Sequence, residues 1–150
     1  MIILNLKIVN FLLWLFVMII ASYFDSKRYR VPNLLFYIAI PLSFLINTIE
    51  FIQDLQRFVE MTIATIIIVF FLEFLAFVRA LGGADLKSFL LFLLIGIPIK
   101  NTNIAFLSTM ILIFLILLIG LIHTKYSKKE ENTFPLIPFI CLIGTILLII

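Results

Sequence analysis

Charge is what this sequence has least of. Eleven Lys and Arg and eight Asp and Glu make up 13% of its 150 residues, about half the share found in an ordinary soluble domain. Cysteine and histidine appear once each, as Cys141 and His123. One thiol excludes a disulfide framework, and one imidazole excludes a histidine-cysteine metal set. Cys141 lies inside an apolar run and reads as a packing residue, His123 as a residue at a membrane interface. Ser22, Ser88 and Ser108 have no partner base, so no serine nucleophile is supported. The net charge of +3 is scattered over short polar stretches instead of gathered on one face, which argues against nucleic acid as a partner.

What fills the space is apolar: 65% of the residues are hydrophobic, 17 of them Phe, and the mean hydropathy is +1.32. A soluble domain of this length still exposes roughly 30% of its unfolded surface after folding. Lipid must therefore be the solvent, and the phenylalanines read as lipid-facing or core side chains. A membrane-spanning helix needs about 20 apolar residues. Six stretches approach that length: 4–24, 31–47, 61–80, 85–99, 103–122 and 133–150. The expected fold is all-α, one polytopic membrane domain over residues 1–150 in the plasma membrane.

The first stretch is too long for the apolar part of a secretory signal and runs straight into Lys27, Arg28 and Arg30, so it is expected to stay in the membrane. The fourth is short. Its apolar core, 88–97, covers only about 15 Å before Pro98, which predicts a broken helix, with segment 82–84 below the membrane surface or the bilayer thinned locally, and suits a wet cavity. In segment 48–60, Ile49, Ile52, Leu55 and Phe58 recur at near-helical spacing among Glu50, Asp54, Gln56 and Arg57. It reads either as a short amphipathic interfacial helix or as an extension of a neighbouring span.

Cations set the orientation. Lys27, Arg28, Arg30, Arg79, Lys87, Lys125, Lys128 and Lys129 fall in alternate connections, against only Lys7, Arg57 and Lys100 on the other side. Cytoplasmic loops carry the excess, so both termini are expected outside and the basic loops inside.

Five of the eight acids, Glu50, Asp54, Glu60, Glu130 and Glu131, sit in polar connections. The other three are Asp25, Glu73 and Asp85. Glu73 lies among Phe70, Phe71, Leu72 and Phe74, where a carboxylate is costly unless neutral or paired; it reads as an inter-helix contact or as a cavity residue. Asp85 follows Gly82, Gly83 and Ala84 at a helix start, where an N-cap is the simple reading. Asp25 stands at a helix C-terminus, where the macrodipole disfavours it. Together they are two acids on one membrane side, each at a helix end, one beside glycines that permit close approach. Close carboxylates share one proton, so one acts on water as a base while the other donates to a carbonyl, and no metal or cofactor is needed. Dipoles alone assign the ionised form to Asp85 and the protonated form to Asp25, with Lys27 and Arg28 opposing the latter.

Three segments carry a resemblance. "DSKRYRVPN", from Asp25 through Arg28, Pro32 and Asn33, resembles the aspartate, basic and Pro-Asn segment of type IV prepilin peptidases and their archaeal preflagellin relatives. "GGADLK", Gly82 to Lys87, resembles the GxGD motif of the same aspartic membrane proteases, with its lysine two positions on. "PLIPFI" resembles the element opening the family's last helix. The resemblance covers essentially the whole chain. It implies a six-helix endopeptidase that cuts the basic leader of pilin-like or archaellin-like precursors at the cytoplasmic face, with Asp25 and Asp85 as the catalytic pair. Ala84 stands where the motif has its second glycine, and its methyl is expected to make the loop less free. The cysteine-bearing segment of larger members is absent, so cleavage without methyl transfer is expected. Two other classes compete: a small proton-coupled transporter, with Glu73 and the broken fourth helix marking the path, and a non-catalytic membrane subunit, hinted at by Ala84. Oligomeric state is not legible.

Overall fold

In hydrocarbon the backbone has no water to bond, so a chain crossing it must satisfy its amides internally, as a helix does. The computed structural model describes residues 2–28, 30–52, 54–78, 81–126 and 135–150, which form six helices and, among the described residues, no strand. They are α1 (Ile2–Arg28), α2 (Asn33–Phe51), α3 (Leu55–Phe77), α4 (Gly83–Ile99), α5 (Thr102–Tyr126) and α6 (Ile137–Ile149). Four contain segments long and apolar enough to cross a membrane: Leu6–Lys27, Asn33–Phe51, Leu55–Phe77 and Thr102–His123. The chain is a multi-pass membrane protein. Arg79, Lys128, Lys129 and the expected start of the sixth span at Thr133 lie outside the described residues.

One open alternative is decided, in favour of extended neighbouring helices, and one expectation changes. Segment 48–60 forms no separate surface helix. Instead α2 runs on to Phe51 and α3 starts at Leu55, because the Asp54 side chain accepts the Arg57 amide at 3.1 Å and caps α3. Nor is the fourth helix broken. It continues through Pro98 to Ile99, and its 17 residues cover roughly 25 Å. That is short of a bilayer core, but α4 touches all five other helices and is fully buried from Leu91 to Pro98. A helix apolar on every side belongs in the centre of a bundle, and there protein replaces lipid.

Pro98 still has a local cost. It has no N–H to give the carbonyl four residues back, at Leu94. The Asn47 amide supplies the missing donor, bonding Leu94 O at 2.6 Å. Asn47 Oδ1 in turn accepts from Asn10 at 2.9 Å, and Asn10 Oδ1 accepts from Ser43 at 2.9 Å. All three side chains are fully buried, so the network ties α1 and α2 to α4 in the interior, where lipid offers no alternative partner. Close packing does the rest. Trp14, fully buried, donates to Thr145 Oγ1 at 3.2 Å and meets Phe92 edge-on at 5.5 Å. Gly144 makes room for it, since a Cβ there would stand 2.8 Å from the indole.

The helices run up and down. One end gathers the C-terminal ends of α1 and α3 with the N-terminal ends of α2, α4 and α6, as the contacts of Asp25 with Ile137 and of Lys87 with Asn33 require. At the other end Lys7, Arg57 and Lys100 share one small pocket with Glu60.

Candidate active site

The first turn of a helix has free amides, and at the polar end of this bundle two of them go to aspartates. Asp25 lies in the last turn of α1, half-buried. Its Oδ2 accepts the amide of Ile137 at 3.0 Å, the first residue of α6. Asp85 is the third residue of α4, so it is not the N-cap. Its Oδ2 reaches back to accept the amide of Gly82, the residue before the helix, at 3.1 Å, and it keeps only 9% exposure. The two carboxylates lie within range of each other's charge.

This arrangement replaces the dipole argument made from sequence. Asp25 sits at the unfavourable end of its own helix but at the favourable end of α6, so both aspartates face a helix N-terminus and dipoles no longer separate their roles. Lys27, two residues after Asp25, is turned to another partner. Lys27 Nζ folds back along α1, bonding Tyr23 OH at 2.9 Å and lying 4.7 Å from its ring. Among the described residues no ion pair joins a base to either aspartate; the side chain of Arg28 lies outside them.

The remaining motif residues hold the frame. Pro32 is the N-cap of α2, one residue earlier than a first-turn proline, and Asn33 is the first helical residue. Asn33 Oδ1 accepts from Lys87 Nζ at 2.6 Å, and that ammonium also lies 4.9 Å over the Tyr37 ring. The lysine of the second motif is thus tied to the asparagine of the first. Gly82 is extended, at φ −77 and ψ 157, and needs no unusual backbone. It needs space, because a Cβ there would stand 3.1 Å from Asp85 Oδ2. Ala84 lies inside the first turn of α4, where alanine is the best helix former, so the expected strain at the missing glycine is not present.

Glu73 is one turn from the end of α3 and exposed, not buried between helices as its apolar neighbours suggested. It lines a depression of about 270 Å³ with Gly83 and Lys87. Without burial it lacks the main mark of an intramembrane ion relay. Among the described residues no three His, Cys, Asp or Glu side chains gather as a metal set.

Sequence reasoning missed the amide of Ile137 as a partner of Asp25. The signal was Pro138, which opens a helix with one fewer amide and so marks a terminus able to meet an acid. It gave no hint of which acid.

A family model described as the type IV leader peptidase family matches residues 12–149, a stretch that includes both aspartates and the opening of α6. No curated protein and no solved structure matches the chain.

Proposed function

The chain belongs to the type IV leader peptidase family, and from that premise we propose that it is an aspartic endopeptidase in which Asp25 and Asp85 act as one unit. Its substrates are pilin-like or archaellin-like precursors, cut after a short basic leader at the cytoplasmic face of the plasma membrane, without methyl transfer. What supports the reading is that two carboxylates, from α1 and α4, stand at one end of the bundle within range of each other's charge, and among the described residues no base forms an ion pair with either.

Like charges at close range leave such a pair holding a single proton. The ionised carboxylate removes a proton from a water molecule as the water oxygen bonds to the scissile carbonyl carbon. The protonated one gives its proton to the carbonyl oxygen. The tetrahedral diol then collapses: the C–N bond breaks, the amine leaves with the proton first taken from water, and the proton of one diol hydroxyl returns to the pair. Electrons and protons balance within the two carboxylates and one water. Which aspartate starts as base is a property of the pair.

Sidedness follows from the distribution of cations: Lys7, Arg57 and Lys100 gather at the far end, which faces outside. The test is a precursor with a basic leader, incubated in vesicles with the protein. The unsubstituted protein shortens it; Asp25→Asn and Asp85→Asn insert normally and leave it whole. Processing by either variant would contradict the assignment.

A further inference from the structure

The central helix is incompletely covered near its N-terminal end. From Leu91 to Pro98 α4 is fully buried, but Gly83, Leu86, Lys87 and Leu90 are not. Their spacing makes a single stripe along one face of the helix. It starts in the turn of α4 that carries Asp85, on the opposite face of the helix, and runs into the membrane between α2 and α3, which both pack on α4 but only lightly on each other. At the polar end this stripe floors the depression that Glu73 edges. Deeper, Leu90 also lines an apolar groove of about 520 Å³ walled by Phe44 and Leu45 of α2 and Thr65 of α3, so the two depressions share that side chain.

Its charges are arranged from one end to the other. The groove proper has no charged side chain in its lining. At the head stand one cation and one anion, and the cation, Lys87, is turned to Asn33 and the Tyr37 ring. Glu73 is left facing the depression, and no ion pair joins it to a described residue.

Taking the chain as a leader peptidase, we propose that this groove receives the apolar segment that follows the leader in the precursor, with Glu73 facing the leader's cations. A segment with positive charge at one end and apolar residues beyond it matches the groove in both charge order and direction, and its junction crosses the exposed Gly82–Gly83 turn to reach Asp85 on the other face of α4. Glu73 is then a specificity residue that acts on leader charge, and the α2–α3 gap is the entrance from the side of the membrane.

Cysteine cross-linking tests this in a Cys141→Ala background that carries Asp85→Asn to preserve the precursor. Single cysteines are placed in the groove, Thr48→Cys or Thr65→Cys, and on the lipid-facing side of α5, Leu107→Cys. A precursor bearing one cysteine in its apolar segment is expected to form adducts at the two groove positions and not at position 107. Equal adducts at position 107, adducts only between two copies of this chain, or none in the groove while the unsubstituted protein shortens the same precursor would each overturn the groove and leave the peptidase reading intact. Failure of the unsubstituted protein to shorten the precursor would remove both. A second variant addresses charge: Glu73→Lys is expected to raise KM about tenfold for a precursor with a basic leader and to lose that penalty when the leader's bases are replaced by acids. An equal loss with both leaders would assign Glu73 a structural role and overturn the charge argument.

Discussion

Two polar clusters sit in this bundle, and they differ in what remains unsatisfied. In the interior, Ser43, Asn10 and Asn47 bond one another in a chain that ends on the carbonyl Pro98 leaves free. Donors and acceptors match, and nothing points at a ligand. At the polar end, Asp25 and Asp85 each take a single helix-terminal amide and face a like charge. Two carboxylates offer many acceptor sites and no donors of their own when ionised, so this cluster keeps capacity for a proton and for water. Satisfaction marks a structural network, and residual capacity marks a place for chemistry.

Substitutions sharpen the contrast. The largest effect is expected at the polar end, where Asp25→Asn or Asp85→Asn lowers processing at least a thousandfold, in the range lost when a catalytic unit is broken. Asparagine keeps an acceptor for the helix-terminal amide, so thermal stability in detergent should change by less than about 1 kcal/mol. The interior network should respond in the opposite way. Asn47→Leu leaves the Leu94 carbonyl without a donor and is expected to cost about 2 kcal/mol of stability, with activity falling only as folded protein is lost. Pro98→Ala restores an N–H four residues on and should recover about 1 kcal/mol of that cost, a coupling that a double-mutant cycle in thermal unfolding measures. If Asn47→Leu were as stable as the parent, or Pro98→Ala gave no rescue, the network would not hold α4 as described.

The glycines give a smaller test. Gly82→Ala places a methyl 3.1 Å from the Asp85 carboxylate, and a several-fold fall in kcat is expected, equivalent to about 1 kcal/mol. Gly83→Ala meets nothing within 4 Å and should leave stability unchanged or raise it by a few tenths of a kcal/mol. The least effect is expected from Lys87→Met, which breaks the tie to Asn33. That bond is exposed and is worth under about 1 kcal/mol in unfolding measurements.

Much of the fold was legible because lipid imposes a simple rule. Six apolar stretches appear as six helices, with ends shifted by a few residues. The fourth was misread for a physical reason: its length was judged against a bilayer, while its neighbours are helices. That Leu91 to Pro98 is apolar without interruption was the sign of a central helix, and pairing Pro98 with Asn47 needed the tertiary structure. The three motifs located the polar end, but they gave neither the meeting of Lys87 with Asn33 nor that of Asp25 with Ile137, because each pair joins segments far apart in the chain. Glu73 does line a depression, but its burial was misjudged from its neighbours in sequence. Phe70, Phe74 and Phe77 are themselves exposed, so apolar company along a membrane helix does not imply burial.

The central claim is that Asp25 and Asp85 work as one catalytic unit. Its most direct test compares single-turnover processing of a basic-leader precursor by Asp25→Asn, Asp85→Asn and the double variant in vesicles. If one shared proton serves the reaction, each single substitution removes the whole contribution and the double variant is no slower than either. Losses that multiply, or processing retained by one single variant, would show that the two carboxylates act separately and would contradict the account.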